Sequence, residues 1–222
     1  MNVSMNNHPI SQTESPSVLP DYPGIALAQI VVVQSRAQLT FARDHLMLAQ
    51  SLGYDTESKP VFTAGQTSDG PHLIQLATET HASLFPLVSA AQRDLSRDVL
   101  KEVLESNKIR KVGFGLSDDN QMLFRKLGIR IANVLDLSRS LSDSRRKQMG
   151  AKRAVEKYFG QILQKSKRVS TSNWAAEHLN ERQLKYAADD AQSALLVYLA
   201  ANTQAGALAK SGTSELNSSA NF

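Results

Sequence analysis

The sequence contains no cysteine. Disulfide bonds and thiolate metal sites are therefore excluded, and any bound metal ion must have oxygen or imidazole ligands. No apolar run reaches the roughly 20 residues that a membrane-spanning helix needs, since Gln29 interrupts the longest one, near Ile25 to Val33. The histidines lack metal-ligand spacing, so no catalytic role is assigned to any of them. They are His8, His45, His72, His81 and His178.

The N-terminal segment is rich in Asn, Ser and Pro. It lacks the basic start and the apolar stretch of a secretory signal peptide, so we expect a cytoplasmic protein. The 41% hydrophobic content is sufficient for a folded core. We expect one domain at residues 25–204, between flexible tails at residues 1–24 and 205–222.

Basic residues are concentrated in one part of the chain. Ten Lys or Arg and only two acids lie between Arg139 and Arg168, so this segment carries +8 in a chain of net charge +4. Lys152, Arg153 and Lys165 are candidates for contacts to a polyanion, because basic side chains bind phosphate groups without reading sequence. A solvated helix face explains the same pattern equally well.

Hydrophobic periodicity predicts an α/β domain. Short apolar or β-branched runs predict strands at residues 28–33, 52–57, 72–78, 83–87, 111–115 and 131–137. Helical spacing predicts helices at residues 35–50, 97–106, 118–127, 151–159 and 181–202. A meander of about three strands followed by alternating helices and strands favours a mixed β-sheet flanked by helices.

Two acids lie on one predicted strand. Asp55 and Glu57 alternate with Thr56, so their carboxylates share a face and lie about 7 Å apart. Such carboxylates repel each other when buried, unless a hard cation such as Mg²⁺ or Mn²⁺ neutralises them. Taken alone, this spacing is more often an ordinary acidic strand end than a metal site.

The last predicted helix carries a phenol and a carboxylate on one face. Tyr186 and Asp190 are four residues apart and are therefore neighbours on the helix surface. The pair is able to hold a metal ion and an attacking water, although a packed tyrosine beside an exposed acid has the same spacing. Asp189 points elsewhere and needs only solvent.

Asp119 lies in the first turn of a predicted helix, where the helix dipole favours acids. Ser117 or Asp118 is the predicted N-cap of this helix. Asp119 becomes a candidate only in combination with the other acids. A two-metal phosphodiesterase needs carboxylates from several elements to converge on cations about 3.5–4 Å apart.

Four runs together resemble the motifs of the DEDD exonucleases, and the last one resembles the tyrosine subgroup, which includes ribonuclease D and the Werner syndrome exonuclease domain. The runs are Gly53-Tyr54-Asp55-Thr56-Glu57, Leu73-Ile74-Gln75-Leu76-Ala77, Val112-Gly113-Phe114-Gly115-Leu116 with Asp119 four residues beyond Gly115, and Tyr186-Ala187-Ala188-Asp189-Asp190-Ala191. The stretch Ser172-Asn173-Trp174, with Leu179 and Gln183 after it, is also similar to this family. The resemblance spans about residues 28–202.

The resemblance implies a ribonuclease-H-like fold and a 3′→5′ exonuclease that uses two Mg²⁺ or Mn²⁺ ions on the 3′ ends of single-stranded DNA or RNA. It implies that Asp55, Glu57 and Asp190 hold the first ion. It also implies that Asp55 bridges to the second ion, with Asp119 helping through water. Tyr186 would orient the attacking water.

Several points stay open beside this resemblance. The family spacing favours Asp119 over the adjacent Asp118. Thr56 and Trp174 are candidate substrate contacts, with Trp174 stacking on a base, although a lone Trp more often packs in a core. The run Trp174-Ala175-Ala176-Glu177 is similar to small oligoribonuclease-type members, so a nuclease for very short RNA is one alternative. A non-catalytic nucleic-acid-binding module of the same fold, or a domain of a larger assembly, is another.

Overall fold

The computed structural model describes residues 18–61, 68–142 and 148–218. Most of the predicted N-terminal tail, the end of the predicted C-terminal tail and part of the basic segment therefore lie outside the described residues. Within the described ranges, no helix combines the length and the hydropathy needed to cross a membrane. The domain boundaries at residues 24/25 and 204/205 stay predictions.

Strands and helices alternate along most of the chain. The strands are β1 (Ile30–Val32), β2 (Ser51–Glu57), β3 (Leu73–Ala77), β4 (Ala82–Pro86), β5 (Arg110–Gly113) and β6 (Val134–Asp136). The helices are α1 (Arg36–Met47), α2 (Ala90–Leu104), α3 (Ser117–Leu127), α4 (Leu137–Ser140), α5 (Ala151–Phe159), α6 (Lys167–Ser170) and α7 (Glu181–Ser218), with a 3₁₀ turn at Leu27–Gln29.

The strands form one six-stranded mixed sheet in the order β1-β4-β3-β2-β5-β6. Strands β2, β3 and β4 form the predicted antiparallel meander, and β5 and β6 add to β2 in parallel. The first strand does not belong to the meander. It pairs in parallel with β4 at the sheet edge, because α1 carries the chain from β1 across to β2. The predicted mixed α/β sheet is confirmed.

Several predicted element boundaries differ from the structure. Helix α2 begins at Ala90, where Ser89 and Gln92 form a capping box. Strand β6 begins only after Asn133, whose φ of 49° breaks the extended conformation. Helix α7 continues to Ser218, well past its predicted end.

The two faces of the sheet are covered differently. Leu52 and Tyr54 of β2 are fully buried in the core formed with α1, α2 and α3. On the opposite face α7 lies directly against β2, and a side chain at Gly53 would collide with the carbonyl oxygen of Ala191. The closest approach of helix to strand thus lies beside Asp55.

Candidate active site

Strand β2 presents its two acids to α7. Because side chains alternate along a strand, Asp55 and Glu57 lie on the face opposite the buried Leu52 and Tyr54. Asp55 Oδ1 also accepts a hydrogen bond of 2.8 Å from the Thr56 backbone N–H, which fixes the carboxylate at the strand end. The predicted shared face is confirmed.

Helix α7 contributes the third acid. Asp190 is 5% exposed, and its Oδ2 lies 2.8 Å from the Nζ atom of Lys165. Lys165 immediately precedes Ser166, the N-cap residue of α6. Lys165 is a predicted phosphate contact, but its ammonium points at the carboxylate of Asp190.

The acids repel one another across the cleft. Burial, and then the charge of Asp190, raises the pKa of Asp55 to about 8. Burial, followed by the charges of Asp55 and Asp190, raises the pKa of Glu57 to about 9. Lys165 opposes both shifts. The charge of Asp119 also raises both pKa values, so Asp190 and Asp119 both lie near enough to act on Asp55 and Glu57.

Asp119 joins the cluster from the first turn of α3. Its Oδ1 accepts a hydrogen bond of 2.6 Å from the Thr56 hydroxyl, and burial raises its pKa. Asp118 is exposed. Thr56 is 7% exposed, and its hydroxyl positions Asp119. Its role as a substrate contact stays a prediction.

Asp136, at the end of β6, holds the turn that precedes Asp119. Its carboxylate accepts hydrogen bonds from the backbone N–H groups of Gly115, at 2.9 Å, and Leu116, at 3.2 Å. The N-cap position of α3 is Leu116, without a side-chain cap, so the prediction of Ser117 or Asp118 as the N-cap is wrong. Asp136 fixes the turn before the helix and does not cap its first N–H groups, and sequence spacing gives no signal for this contact.

Tyr186 lies one helical turn before Asp190. Burial, together with Asp190, Glu57 and Asp55, raises the pKa of its hydroxyl well above the usual range. A hydrogen bond from Tyr186 acts to lower the pKa of the Asp190 carboxyl, against the larger effect of burial. Tyr186 therefore stays protonated at the edge of the acidic cluster.

The ring of Trp174 packs against the ring of Tyr186. Its ring centroid lies 6.0 Å from that of Tyr186, its Nε1–H donates to the carbonyl oxygen of Ser170 at 3.1 Å, and the residue is 1% exposed. The ring is therefore packed in the core, as a lone Trp more often is, and is not free to stack on a base. Gln183 connects this segment to α7 through a hydrogen bond of 2.9 Å to the Ser172 hydroxyl.

Asp189 also differs from the prediction. Its Oδ1 accepts a hydrogen bond of 3.0 Å from the backbone N–H of Ile25 and pairs with Lys185, so the side chain is not simply solvated.

Asp21 and Tyr22, assigned to the predicted N-terminal tail, are also in contact with the domain. Asp21 forms a β-bridge with Ile162, and Tyr22 is buried.

Comparison with known proteins agrees with this arrangement of acids. A family model described as 3′-5′ exonuclease matches residues 30–202. The chain belongs to this family. In Drosophila melanogaster, exonuclease 3′-5′ domain-containing protein 2 is 30% identical over 156 residues, a match that covers 70% of the chain and 26% of the relative. The chain thus spans about a quarter of that relative's length.

Two solved structures share the fold. The Aedes aegypti Nibbler EXO domain has a TM-score of 0.71 at 23% identity, over 83% of this chain and 92% of that one. The Trypanosoma brucei RNase D complex with RNA U12 has a TM-score of 0.66 at 23% identity, over 76% of this chain and 60% of that one. The predicted ribonuclease-H-like fold is confirmed, as is the resemblance to 3′-5′ exonucleases.

The 3′-5′ exonuclease family depends on divalent metal ions, and the donor chemistry of this site fits such ions. Carboxylate oxygens are the ligands that hard cations prefer, and the mutual repulsion of Asp55, Glu57 and Asp190 is what a cation relieves. Among the described residues, however, no group of three or more acids or histidines is arranged closely enough to hold an ion. The ammonium of Lys165 stands beside Asp190 instead.

The remaining basic candidates lie outside this cluster. Lys152 and Arg153 are exposed on α5, whose opposite side, Ala151, Ala154 and Val155, is buried. They are accessible to a polyanion, and their role as substrate contacts stays a prediction.

Proposed function

We propose that the chain is a metal-dependent 3′→5′ exonuclease that hydrolyses phosphodiester bonds from the 3′ ends of single-stranded DNA or RNA. The observation that carries this proposal is the convergence of four carboxylates and one phenol, in a chain that belongs to the 3′-5′ exonuclease family. These residues are Asp55, Glu57, Asp119, Asp190 and Tyr186. A cytoplasmic location, expected from the composition, is part of the proposal.

Two Mg²⁺ or Mn²⁺ ions complete the proposed site. Asp55, Glu57 and Asp190 would hold the first ion, and Asp55 would share the second with Asp119. When bound, such ions activate water and stabilise the charge that develops on the leaving oxygen. Thr56 fixes the Asp119 carboxylate through its hydroxyl, so the orientation of this ligand is determined before any ion binds.

Tyr186 orients the attacking water in this proposal. Its raised pKa, which burial dominates, keeps the phenol protonated at neutral pH. The hydroxyl is therefore suited to hold a water by hydrogen bonding and not to remove its proton. Trp174 restricts the phenol ring from the core side, which keeps the hydroxyl near Asp190.

The substrate class has independent support. The Trypanosoma brucei RNase D structure contains RNA U12, and the exposed Lys152 and Arg153 on α5 offer contacts to phosphate groups. Attack on a phosphodiester backbone is chemically alike in DNA and RNA, so the proposal covers both.

A time course on 5′-labelled single-stranded RNA and DNA tests the function. We expect a ladder that shortens from the 3′ end with Mg²⁺ or Mn²⁺, and none with EDTA or with Asp55→Asn. Substrates of two and twenty residues separate a general exonuclease from a nuclease for very short RNA. If both strands bind and neither shortens, the protein is a binding module.

A further inference from the structure

The Lys165 ammonium places a positive charge against the buried carboxylate of Asp190. Its Nζ atom is 2.8 Å from Asp190 Oδ2, and its side chain is 27% exposed whereas that of Asp190 is 4% exposed. The same Nζ atom is 5.6 Å from the centroid of the Tyr186 ring. The ammonium thus sits between the catalytic candidates of α7 and the acids of β2.

The charge of Lys165 acts on the whole cluster. The carboxylates of Asp190, Asp55 and Glu57 all attract this ammonium. A buried carboxylate without a positive partner is strongly destabilising, so Lys165 stabilises the cluster in the absence of metal.

The same ammonium opposes a divalent ion on Asp190. A cation bound to the Asp190 carboxylate competes for the oxygen that Lys165 contacts, and two positive groups at hydrogen-bonding distance repel each other strongly in a partly buried cleft.

We propose that Lys165 is the internal counter-ion of the metal-free site and that a divalent cation binds by displacing its ammonium from Asp190. This proposal rests on the proposed metal-dependent function. It assigns Lys165 a role in setting metal affinity, which is a positioning role and not a direct part in phosphodiester cleavage.

Replacing Lys165 with an uncharged side chain has two expected effects. Lys165→Met should bind Mn²⁺ roughly tenfold more tightly or better, because no ammonium must be displaced. In EDTA the same variant should melt at a lower temperature than the wild type, because Asp190 loses its partner. Lys167→Met is the matched control, since Lys167 is exposed two residues away, and it should change neither quantity.

Titration calorimetry with Mn²⁺ and thermal unfolding in EDTA measure these effects on wild type, Lys165→Met, Lys167→Met and Asp190→Asn. Equal Mn²⁺ affinity in wild type and Lys165→Met, or weaker affinity in the variant, overturns the displacement proposal alone. Failure of both proteins to bind Mn²⁺ overturns the proposed metal-dependent function as well. Asp190→Asn should bind Mn²⁺ more weakly than wild type.

A crystal structure of the wild type with Mn²⁺ gives a second, variant-free measurement. We expect Nζ of Lys165 to lie beyond hydrogen-bonding distance of Asp190 Oδ2 once the ion is bound. An ion on the carboxylate cluster with the 2.8 Å contact retained would contradict displacement, even if Lys165→Met failed to fold.

Discussion

Two adjacent acids on α3 have entirely different surroundings. Asp119 accepts a hydrogen bond from Thr56 and is partly buried among the other carboxylates, whereas Asp118 is exposed. A helix turns by about 100° per residue, so only one of two neighbours faces the cleft. The structure therefore supports the choice of Asp119, which the sequence made from motif spacing.

Asp119→Asn and Asp118→Asn form a matched pair for this difference. We expect Asp119→Asn to lower kcat by roughly 10²-fold or more, because the carboxylate that helps to hold the second ion loses its charge. Asp118→Asn should keep kcat within about twofold. Steady-state rates on a labelled strand at saturating Mn²⁺ measure both, and the reverse order would assign the role to Asp118.

Tyr186→Phe isolates the hydroxyl group. The ring and its packing against Trp174 remain, so we expect Mn²⁺ affinity to change little while kcat falls by roughly 10²-fold, a typical effect for one positioned catalytic group. Rates and Mn²⁺ titrations on the same preparation provide the comparison. A wild-type rate in Tyr186→Phe would remove the hydroxyl from the mechanism.

The sequence predicted some site residues and could not predict others, for a physical reason. Asp55, Glu57, Tyr186 and Asp190 follow strand and helix periodicity, which local spacing reveals. The contacts of Lys165 and Asp136 join residues 20 or more positions apart. Such pairs depend on tertiary packing, so no local pattern marks them.

At the scale of elements, the distance between β2 and α7 determines the site. Gly53 lets the carbonyl of Ala191 approach the strand, and any Cβ atom there would collide with it. Glycine at this position is therefore required by close approach and not by a turn. The sequence placed Gly53 in a motif but offered no reason for it, because the partner atom comes from a helix near the other end of the chain.

Gly53→Ala should separate the strand from the helix. We expect the free energy of unfolding to fall by about 1–3 kcal/mol, as overpacking usually costs, and kcat to fall because Asp190 moves away from Asp55. Gly150→Ala is the control, since a Cβ atom at Gly150 meets nothing within 4 Å. Urea unfolding and rate measurements test both, and equal stability of the two variants would refute the close-packing argument.

Lys111 connects α2 to β5. Its fully buried ammonium donates to the carbonyl oxygens of Ser106, at 2.7 Å, and Ile109, at 2.8 Å. Lys111→Met leaves these buried acceptors unpaired, and we expect it to lower the free energy of unfolding by about 1–3 kcal/mol. Urea unfolding at pH 7 measures the loss, and an unchanged midpoint would contradict it.

The loss in Lys111→Met should depend on pH. Burial lowers the pKa of Lys111 from 10.5 to about 8. Between these values the unfolded chain binds more protons than the folded one, so stability contributed by this group rises with pH. The stability of wild type relative to Lys111→Met should therefore increase from pH 8 to pH 10, and a constant difference would show that the amine stays charged.

At the scale of the whole molecule, charge of opposite sign is separated. The acids converge at the end of β2, while the exposed Lys152 and Arg153 lie on α5, which packs against α7. A strand bound across this surface would meet positive charge along its backbone and acids only at the scissile phosphate. The sequence shows the basic residues as a segment of charge +8. Only the structure shows that helix α5 of this segment packs against α7.

The affinity for single strands should therefore fall as the salt concentration rises. Removing the α5 charges should make this dependence on salt less steep. In an Asp55→Asn background, which prevents cleavage, we expect Lys152→Gln with Arg153→Gln to lower affinity for DNA and RNA alike and to reduce the slope of log K against log salt by about one to two. Lys108→Gln is the control, because Lys108 is exposed in the connection to β5 at the opposite end of the sheet. Fluorescence anisotropy at several salt concentrations measures the slopes. An equal reduction in Lys108→Gln would mean that net charge, and not the α5 surface, governs binding.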